Sequence, residues 1–347
     1  MSTVADGLFQ YGGMPVTGGV PPFVSVNAKT FFVDPVNGAD GNSGRSPDDA
    51  FASLYRAHYM MTAGQHDVCY LIGNGATTGT ARLSVANAVA AQGPTETVAT
   101  TGTLTWSKNA CHLIGIGAPG SVTPRARIAL TTTVTTATFG SGNMVVVTGS
   151  DCFFSNISAT HAPATGDTTD ICWTDSGGRN TYNNCGFFGG QSTAAAAASG
   201  SMSLLVTGST GENSFYNCII GSDASTARTG SFAELNLTAD TPRNRFYRCL
   251  IQTRAGSTTA AFWVAIPNSG IDRYVLFDDC TFVNMRAGSG APFSLMAVGF
   301  SLTTAPGGTV IMRNCITTGA TKIDTNSVAV TNQAAGAAGG GLGALIA

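Results

Sequence analysis

The sequence predicts an all-β protein: a single-stranded right-handed parallel β-helix with an N-terminal capping helix and extended terminal arms. Three observations indicate this fold: cysteines recur at nearly constant spacing, apolar strand segments recur with them, and residues that favour surface helices are scarce. The 347 residues include 44 glycines but only three lysines and three glutamates. Because Lys and Glu favour helices and Gly disfavours them, this composition favours strands.

The repeat is clearest in the second half of the chain, where neighbouring cysteines are 33, 31, 31 and 35 residues apart. These residues are Cys185, Cys218, Cys249, Cys280 and Cys315. A large apolar residue stands three positions before each one: Tyr182, Phe215, Phe246, Phe277 and Met312. Another apolar segment precedes each of these, at 171–175, 203–208, 233–239, 261–267 and 294–300, and a sixth, at 144–149, precedes an earlier copy at 154–157. One period is therefore strand, turn, strand, bend, strand and variable loop, which predicts roughly eight coils stacked about 4.8 Å apart.

The residue before each repeat cysteine is typical of a tight bend. It is Asn184, Asn217 and Asn314, with Asn156 in an earlier copy, while Arg248 and Asp279 take its place in two coils. Asparagine tolerates left-handed backbone conformations and bonds to nearby backbone groups. This pattern resembles the asparagine ladder of pectin-lyase-like β-helices, a resemblance that extends over about residues 31–332. We interpret the Asn and Cys columns as structural, and the fold leaves function open because such folds host many activities.

Residues 29–66 precede the coils and resemble the entry module of many right-handed β-helix proteins: a strand, a turn loop and a capping helix. The pattern predicts a helix with Ser46 as N-cap and Pro47 at its first position. The residues expected on its buried face are Phe51, Leu54, Tyr55, His58 and Tyr59. The coils are then expected over residues 67–332.

Two segments outside this body are predicted to be extended arms. Residues 1–28 contain two Gly-Gly pairs and a Pro pair. They form either a flexible leader or an arm that orders on a partner, with Phe9, Tyr11, Met14 and Phe23 as its anchors. The Gly/Ala-rich residues 333–347 are expected to be a flexible tail.

Composition also excludes several classes of function. The 17 basic residues balance 19 acidic ones, which argues against nucleic-acid binding through a basic face. No apolar run has the length of a membrane span, and the first residues lack a secretory signal pattern. The nine cysteines therefore favour buried thiols over disulfides. The segment with Asp34, Asn37, Asp40 and Asn42 resembles a calcium loop in composition, but Arg45 stands where the motif needs Glu, so we expect turns and neither metal nor cofactor.

The best catalytic constellation available lies beside the Asn column. Asp278, Asp279, Arg248 and Arg313 are expected to be neighbours on adjacent coils, and a glycosidase or lyase requires such carboxyl groups and cations. We interpret them instead as surface ion pairs. Stacked exposed tyrosines at 216 and 247 are suited to a sugar ring or a protein partner.

The low charge, low Lys content, free cysteines and terminal arms resemble those of bacteriophage virion proteins. We therefore expect a capsid decoration or cement protein, located in the virion, that forms a homotrimer and contacts the major capsid protein or other virion proteins. The alternative is a tailspike or receptor-binding β-helix that binds or degrades surface polysaccharide. A free bacterial lyase or glycosidase is a third possibility, which the missing signal and the few carboxylates disfavour.

Overall fold

The chain winds into a right-handed parallel β-helix built from three parallel sheets, which confirms the predicted fold class. The computed structural model describes residues 10–11, 14–15, 27–73, 83–84, 103–117, 126–129, 143–162, 170–221, 227–228, 230–255, 261–285, 296–302, 306–324 and 330–332. A coil runs from the first sheet through a tight bend to the second sheet, then to the third sheet and back. Each strand therefore pairs with the equivalent strands of the coils before and after it.

The strands of the three sheets divide the repeat as the sequence predicted. The first sheet contains Thr30–Val33, Val68–Ile72, His112–Ile116, Phe153–Ser155, Thr181–Asn183, Ser214–Tyr216, Thr241–Tyr247, Ile271–Asp278, Gly308–Arg313 and Val330–Asn332. The second contains Leu83–Ser84, Ala126–Ala129, Ile157–Thr160, Gly186–Phe188, Ile219–Ile220, Leu250–Thr253, Thr281–Asn284 and Ile316–Thr318. The third contains Leu104–Trp106, Asn143–Val147, Ile171–Asp175, Met202–Val206, Phe232–Leu237, Ala261–Ile266, Met296–Leu302 and Ala320–Asp324.

Within the ranges given above, the helical segments are few and short. They are the 3-10 turn Pro47–Asp49 and the α-helices Leu54–Met60 and Thr193–Ala197. Among the described residues, no helix has the length and apolar character of a membrane span.

A column of stacked aromatic rings fills the interior behind the first sheet. It consists of Phe154, Tyr182, Phe215, Phe246 and Phe277, each with no exposed surface. Successive ring centroids lie 4.9, 4.7, 4.6 and 4.9 Å apart, and the ring planes are within 18° of parallel. Because the strands pair in register, one aromatic position repeated along the sequence becomes a continuous stack.

The five repeat cysteines form a second interior column, beside the bend between the first and second sheets. The thiol of Cys185 donates to the carbonyl of Phe154 at 3.4 Å, one coil earlier, and the thiol of Cys249 donates to that of Phe215 at 3.5 Å. All nine cysteines are free and buried. Burial raises the pKa of the Cys172 thiol to about 12, so this thiol stays protonated and unreactive at neutral pH.

The bend before each repeat cysteine has one backbone conformation in every coil. Asn156, Asn184, Asn217, Arg248, Asp279 and Asn314 all have φ between 51° and 54°. The backbone N–H of Asn184 donates to the Tyr216 carbonyl at 2.9 Å, and this bond recurs from coil to coil. One side-chain bond links two of these residues, from Asn184 Nδ2 to Asn156 Oδ1 at 3.0 Å. The left-handed conformation and the main-chain bonds thus define the bend, which is why Arg and Asp also occupy it.

A second asparagine column, which the sequence analysis did not identify, lies directly before two first-sheet strands and within the next one. Asn180, Asn213 and Asn244 are buried there. The Asn213 side-chain oxygen accepts the backbone N–H of Asn180 at 2.8 Å, and that of Asn244 accepts the N–H of Asn213 at 3.1 Å. Each stands five residues before a repeat cysteine, so the spacing was visible in the sequence. These side chains accept hydrogen bonds from buried backbone N–H groups that would otherwise have no acceptor at the turn.

The capping helix starts later than predicted. Ser46 precedes only the 3-10 turn and makes no side-chain cap bond, whereas the Ser53 hydroxyl accepts the backbone N–H of Arg56 at 3.2 Å. The reason is Asp40, whose carboxylate accepts the N–H groups of Ala52 and Ser53 at 3.0 and 2.9 Å and holds that segment extended.

The buried face of the capping helix also differs from the prediction. Leu54, Ala57 and His58 are buried, but Tyr59 is 55% exposed. Phe51 packs in the core ahead of the helix and forms an isolated bridge with Val33. The shorter helix therefore covers the end of the rod with fewer side chains than the sequence pattern suggested.

Candidate functional site

The outer face of the first sheet presents a row of side chains just before the bend. The residue that follows each large inward side chain points outward, because side chains alternate along a strand. In register, Asn183 pairs with Tyr216, Tyr216 with Tyr247, Tyr247 with Asp278, and Asp278 with Arg313. We call this set, Asn183 to Arg313, the outer row.

Two tyrosines form the aromatic part of the outer row. The rings of Tyr216 and Tyr247 stack with centroids 5.1 Å apart and an angle of 6° between their planes. Tyr216 is 38% exposed. A large aromatic surface kept in contact with solvent is suited to stacking against a ligand ring or a partner side chain.

The next two members of the outer row are a carboxylate and a guanidinium. Arg313 Nε donates to Asp278 Oδ1 at 2.8 Å, and a second Arg313 nitrogen donates to Asp278 Oδ2. These hydrogen bonds hold the pKa of Asp278 below its usual value. Asp278 is therefore ionised at neutral pH, with both carboxylate oxygens occupied by one guanidinium.

The other two predicted catalytic residues occupy the neighbouring bend. Arg248 Nε lies 3.9 Å from Asp279 Oδ2, and their side chains are 76% and 48% exposed. The structure therefore brings all four candidates onto one surface, as two ion pairs that each join adjacent coils. The lowered pKa of Asp278 is the opposite of what a general acid requires.

Two further residues complete this surface and were not singled out from the sequence. Arg245 donates from a terminal nitrogen to the Tyr274 hydroxyl at 3.0 Å. This hydrogen bond raises the pKa of Arg245. Arg245 stands two residues before Tyr247, and Tyr274 four before Asp278, so strand alternation would have placed both on the outer face.

The N-terminal part of the same sheet has a different outer face. Tyr70, Ile114 and Phe153 form a small apolar cluster there, with exposures of 3, 4 and 6%. Phe32 packs against it and stacks on Tyr70 with centroids 5.4 Å apart. The solvent-facing, polar section of the sheet is therefore confined to the later coils.

Two of the four predicted arm anchors lie outside the described residues, and the other two lie in short strands. Phe9 and Phe23 lie outside the described residues. Tyr11 and Met14 pair across two short antiparallel strands, Gln10–Tyr11 and Met14–Pro15. The role of these anchors stays a prediction.

The loop with calcium-like composition uses its oxygens in turn bonds. Asp34 Oδ1 accepts the backbone N–H groups of Val36 and Asn37 at 2.9 and 3.1 Å. The Asn42 amide donates to the Ala50 carbonyl at 2.9 Å. Within the part of the chain that the structure describes, no group of three or more His, Cys, Asp or Glu side chains is arranged to hold a metal ion.

Comparisons with known proteins agree with this architecture. No protein-family model and no curated protein sequence matches the chain. A crystal structure of pectate lyase Pel9A aligns over 90% of this chain and 79% of its own, with 14% identity and a TM-score of 0.50. A pectin methylesterase in complex with a hexasaccharide aligns over 85% and 80%, with 15% identity and a TM-score of 0.50. The chain thus has the right-handed parallel β-helix fold of these pectin-acting enzymes, and at such identities the likeness concerns the fold.

Proposed function

We propose that the chain is a structural protein of a bacteriophage particle, a capsid decoration or cement protein that works by binding and not by catalysis. The observation that carries this proposal is that carboxylates on its outer surface form ion pairs with arginines of adjacent coils. Arg179 bonds Asp151 at 2.8 Å, Arg243 bonds Glu212, and two more pairs join the coils at the outer row and its bend. These pairs span 28 to 35 residues, so each one ties a coil to the next.

The chemistry of the outer row supports a binding role. A glycosidase needs one protonated and one ionised carboxyl group, and a lyase needs a base with a free lone pair. Asp278 is ionised and both its oxygens accept bonds from Arg313. The Asp278–Arg313 pair therefore joins two adjacent coils, which we call an inter-coil clamp. A rod held together in this way suits a protein that must keep its shape on a particle.

The first experiment measures the copy number of the chain in purified virions, by quantitative mass spectrometry against the major shell protein. A copy number comparable with that of the shell subunits is expected. A few copies per particle would favour a spike, and complete absence from virions would overturn the proposal.

The contribution of the arm is tested with a variant that lacks residues 1–28. We expect this variant to lose particle binding while its far-UV circular dichroism stays that of the full chain. Undiminished binding by the folded, truncated protein would exclude the arm as the attachment element.

A second candidate function is polysaccharide binding on the outer row, as in a tailspike. The stacked Tyr216 and Tyr247 favour it, together with Arg245, whose guanidinium bonds a tyrosine hydroxyl. The pectin methylesterase neighbour was itself solved with a hexasaccharide. An aromatic pair flanked by a cation suits a sugar that carries a carboxylate.

This alternative predicts that Tyr216→Ala with Tyr247→Ala reduces binding to acidic polysaccharide at least tenfold in affinity electrophoresis. Tyr59→Ala is the matched control, because Tyr59 is 55% exposed but lies on the capping helix. Equal binding by all variants would exclude the outer row. If the wild-type chain cleaves the glycan, Asp278→Asn with Asp279→Asn should abolish cleavage, and unchanged cleavage would clear both carboxylates of a catalytic role.

A further inference from the structure

Three of the four histidines in the chain lie where the N-terminal module meets the first coils. His58 is in the last turn of the capping helix, His66 follows that helix, and His112 begins a first-sheet strand. His58 and His112 are 9 and 1% exposed. The proposed function does not use them, and their contacts have one feature in common: each ring accepts hydrogen bonds.

His58 joins the capping helix to the segment after the third-sheet strand Leu104–Trp106. Its Nε2 lies 3.1 Å from the backbone nitrogen of Ser107 and 3.4 Å from that of Lys108. A backbone N–H can only donate, so Nε2 carries no proton in the docked state. The ring also packs against Trp106, with centroids 4.8 Å apart.

Lys108 completes this contact from the same segment. Its ammonium donates to the carbonyls of His58, Tyr59 and Met61 at 2.7, 2.6 and 2.6 Å, and so caps the C-terminal end of the helix. A proton added to Nε2 of His58 would lie against two backbone N–H donors, and the ring's positive charge would lie near the Lys108 ammonium. Protonation and docking of the helix therefore oppose each other.

The second contact links His66 to the coils through His112. The backbone N–H of Phe153 donates to His112 Nδ1 at 3.0 Å, so the proton of the neutral ring is on Nε2. His112 Nε2 then donates to His66 Nδ1 at 3.2 Å. A proton added to His112 Nδ1 would remove the acceptor for Phe153, and one added to His66 Nδ1 would break the bond between the two rings.

Neighbouring groups disfavour an added proton on both buried rings: Lys108 does so for His58, and His66 for His112. The ionisable groups of this junction also include Cys111 and Asp67, with Tyr55, Arg56 and Tyr59 on the helix itself. The two oxygens of Asp67 accept the backbone N–H groups of Lys29 and Thr62 at 2.6 and 2.7 Å. Burial raises the pKa of the Cys111 thiol to about 12, so this thiol stays uncharged at the pH values considered.

We infer that the capping helix is an acid-sensitive latch, which protonation of His58 and His112 releases from the first coils. Burial, with Lys108 beside one ring and His66 beside the other, lowers the pKa of both histidines from 6.5 to about 4. The open state therefore binds protons more strongly than the docked state between these values. Docking is strongest above pH 6.5, weakens as pH falls towards about 4 and levels off below it.

The test is hydrogen exchange of the full chain at pH 7.5 and 5.0, corrected for intrinsic exchange rates and read by mass spectrometry. Each histidine should favour opening by about 30-fold between these pH values, so protection of residues 54–61 should fall by several hundred-fold. Peptides over residues 214–220 and 246–253 are the internal reference. His161 also titrates, with a pKa lowered by burial to about 3, but it follows the second-sheet strand Ile157–Thr160 and lies near Arg228, so the local comparison separates its effect.

The decisive variant is His58→Gln with His112→Asn, because the Gln and Asn oxygens can take the positions of Nε2 and Nδ1 without accepting a proton. Its cap protection should no longer depend on pH. If the double variant does not fold, each single variant should lose about half of the effect on a logarithmic scale. Equal loss of protection in cap and coils, unchanged protection at pH 5.0, or wild-type pH dependence in the folded variants would overturn the inference.

Discussion

The junctions between coils and the junction between the cap and the coils are built from different interactions. Coil-to-coil contacts rely on stacked rings such as Phe215 on Phe246, 4.6 Å apart, and on buried thiols. The cap is held by polar contacts as well, through His58 and the Lys108 ammonium. Apolar stacking does not respond to pH, whereas imidazole acceptors do. We therefore expect the cap contact to be the part of the rod whose stability depends most on pH.

The largest expected effect comes from breaking the aromatic column. Phe215→Ala removes a fully buried ring between Tyr182 and Phe246 and should lower the free energy of unfolding by about 3–5 kcal/mol. Urea denaturation followed by circular dichroism measures it. Tyr216→Ala, one residue along on the exposed face, is the control and should cost less than about 1 kcal/mol. Similar losses in both variants would show that the interior column is not the main source of stability.

The next comparison asks which asparagine column supports the coils. Asn213→Ala leaves the buried backbone N–H of Asn180 without its acceptor, so we expect a loss of about 2–3 kcal/mol. Asn217→Ala should cost about 1 kcal/mol, because alanine is disfavoured at its φ of 53°.

Asn217→Gly distinguishes backbone strain from side-chain bonding at the bend. Glycine adopts positive φ freely, so this variant should recover most of the stability that Asn217→Ala loses. Urea midpoints for the three variants provide the measurement. A glycine variant as unstable as the alanine variant would mean that the Asn217 side chain, and not its conformation, matters at the bend.

The two asparagine columns also show how much of the fold could be predicted from the sequence. The coil period was predictable because Cys185, Cys218 and the later copies recur with an inward aromatic three residues earlier. The buried column led by Asn180 has the same periodicity, but Asn180 and Asn213 precede their strands, where asparagine is also typical of ordinary turns. Periodicity therefore identifies the positions that repeat. Whether the side chain at such a position accepts a hydrogen bond from the next coil depends on its burial, which the sequence does not show.

The site was predictable only in part, for a related reason. Strand alternation places Asp278 and Arg313 on the same outer face, so their proximity followed from the repeat. That the carboxylate has both oxygens occupied depends on the Arg313 side-chain conformation, which no spacing encodes. The predicted start of the capping helix was wrong because Asp40, 13 residues before Ser53, holds Ser53 in an extended conformation.

At the cap, a smaller effect is expected from Lys108→Met. This change keeps the apolar stem but removes the ammonium that bonds three carbonyls at the helix end, and it should weaken docking by about 1–2 kcal/mol. Hydrogen exchange of residues 54–61 reports it. Lys322→Met, at an exposed position in the last third-sheet strand, is the matched control. Equal protection of the cap in both variants would mean that apolar contacts alone hold the helix.

The smallest expected effect concerns the exposed pair at the bend, which belongs neither to the apolar body nor to the polar latch. Asp279→Asn places at this bend the residue that Asn217 and Asn314 supply in other coils, with the φ of 53° that asparagine tolerates. The 3.9 Å pair with Arg248 is solvent-exposed, so its loss should change the free energy of unfolding by less than about 0.5 kcal/mol. A double-mutant cycle with Arg248→Asn measures the coupling. A coupling above about 1 kcal/mol would make this pair part of the clamp, whereas intact stability with lost particle or glycan binding would make it part of the binding surface.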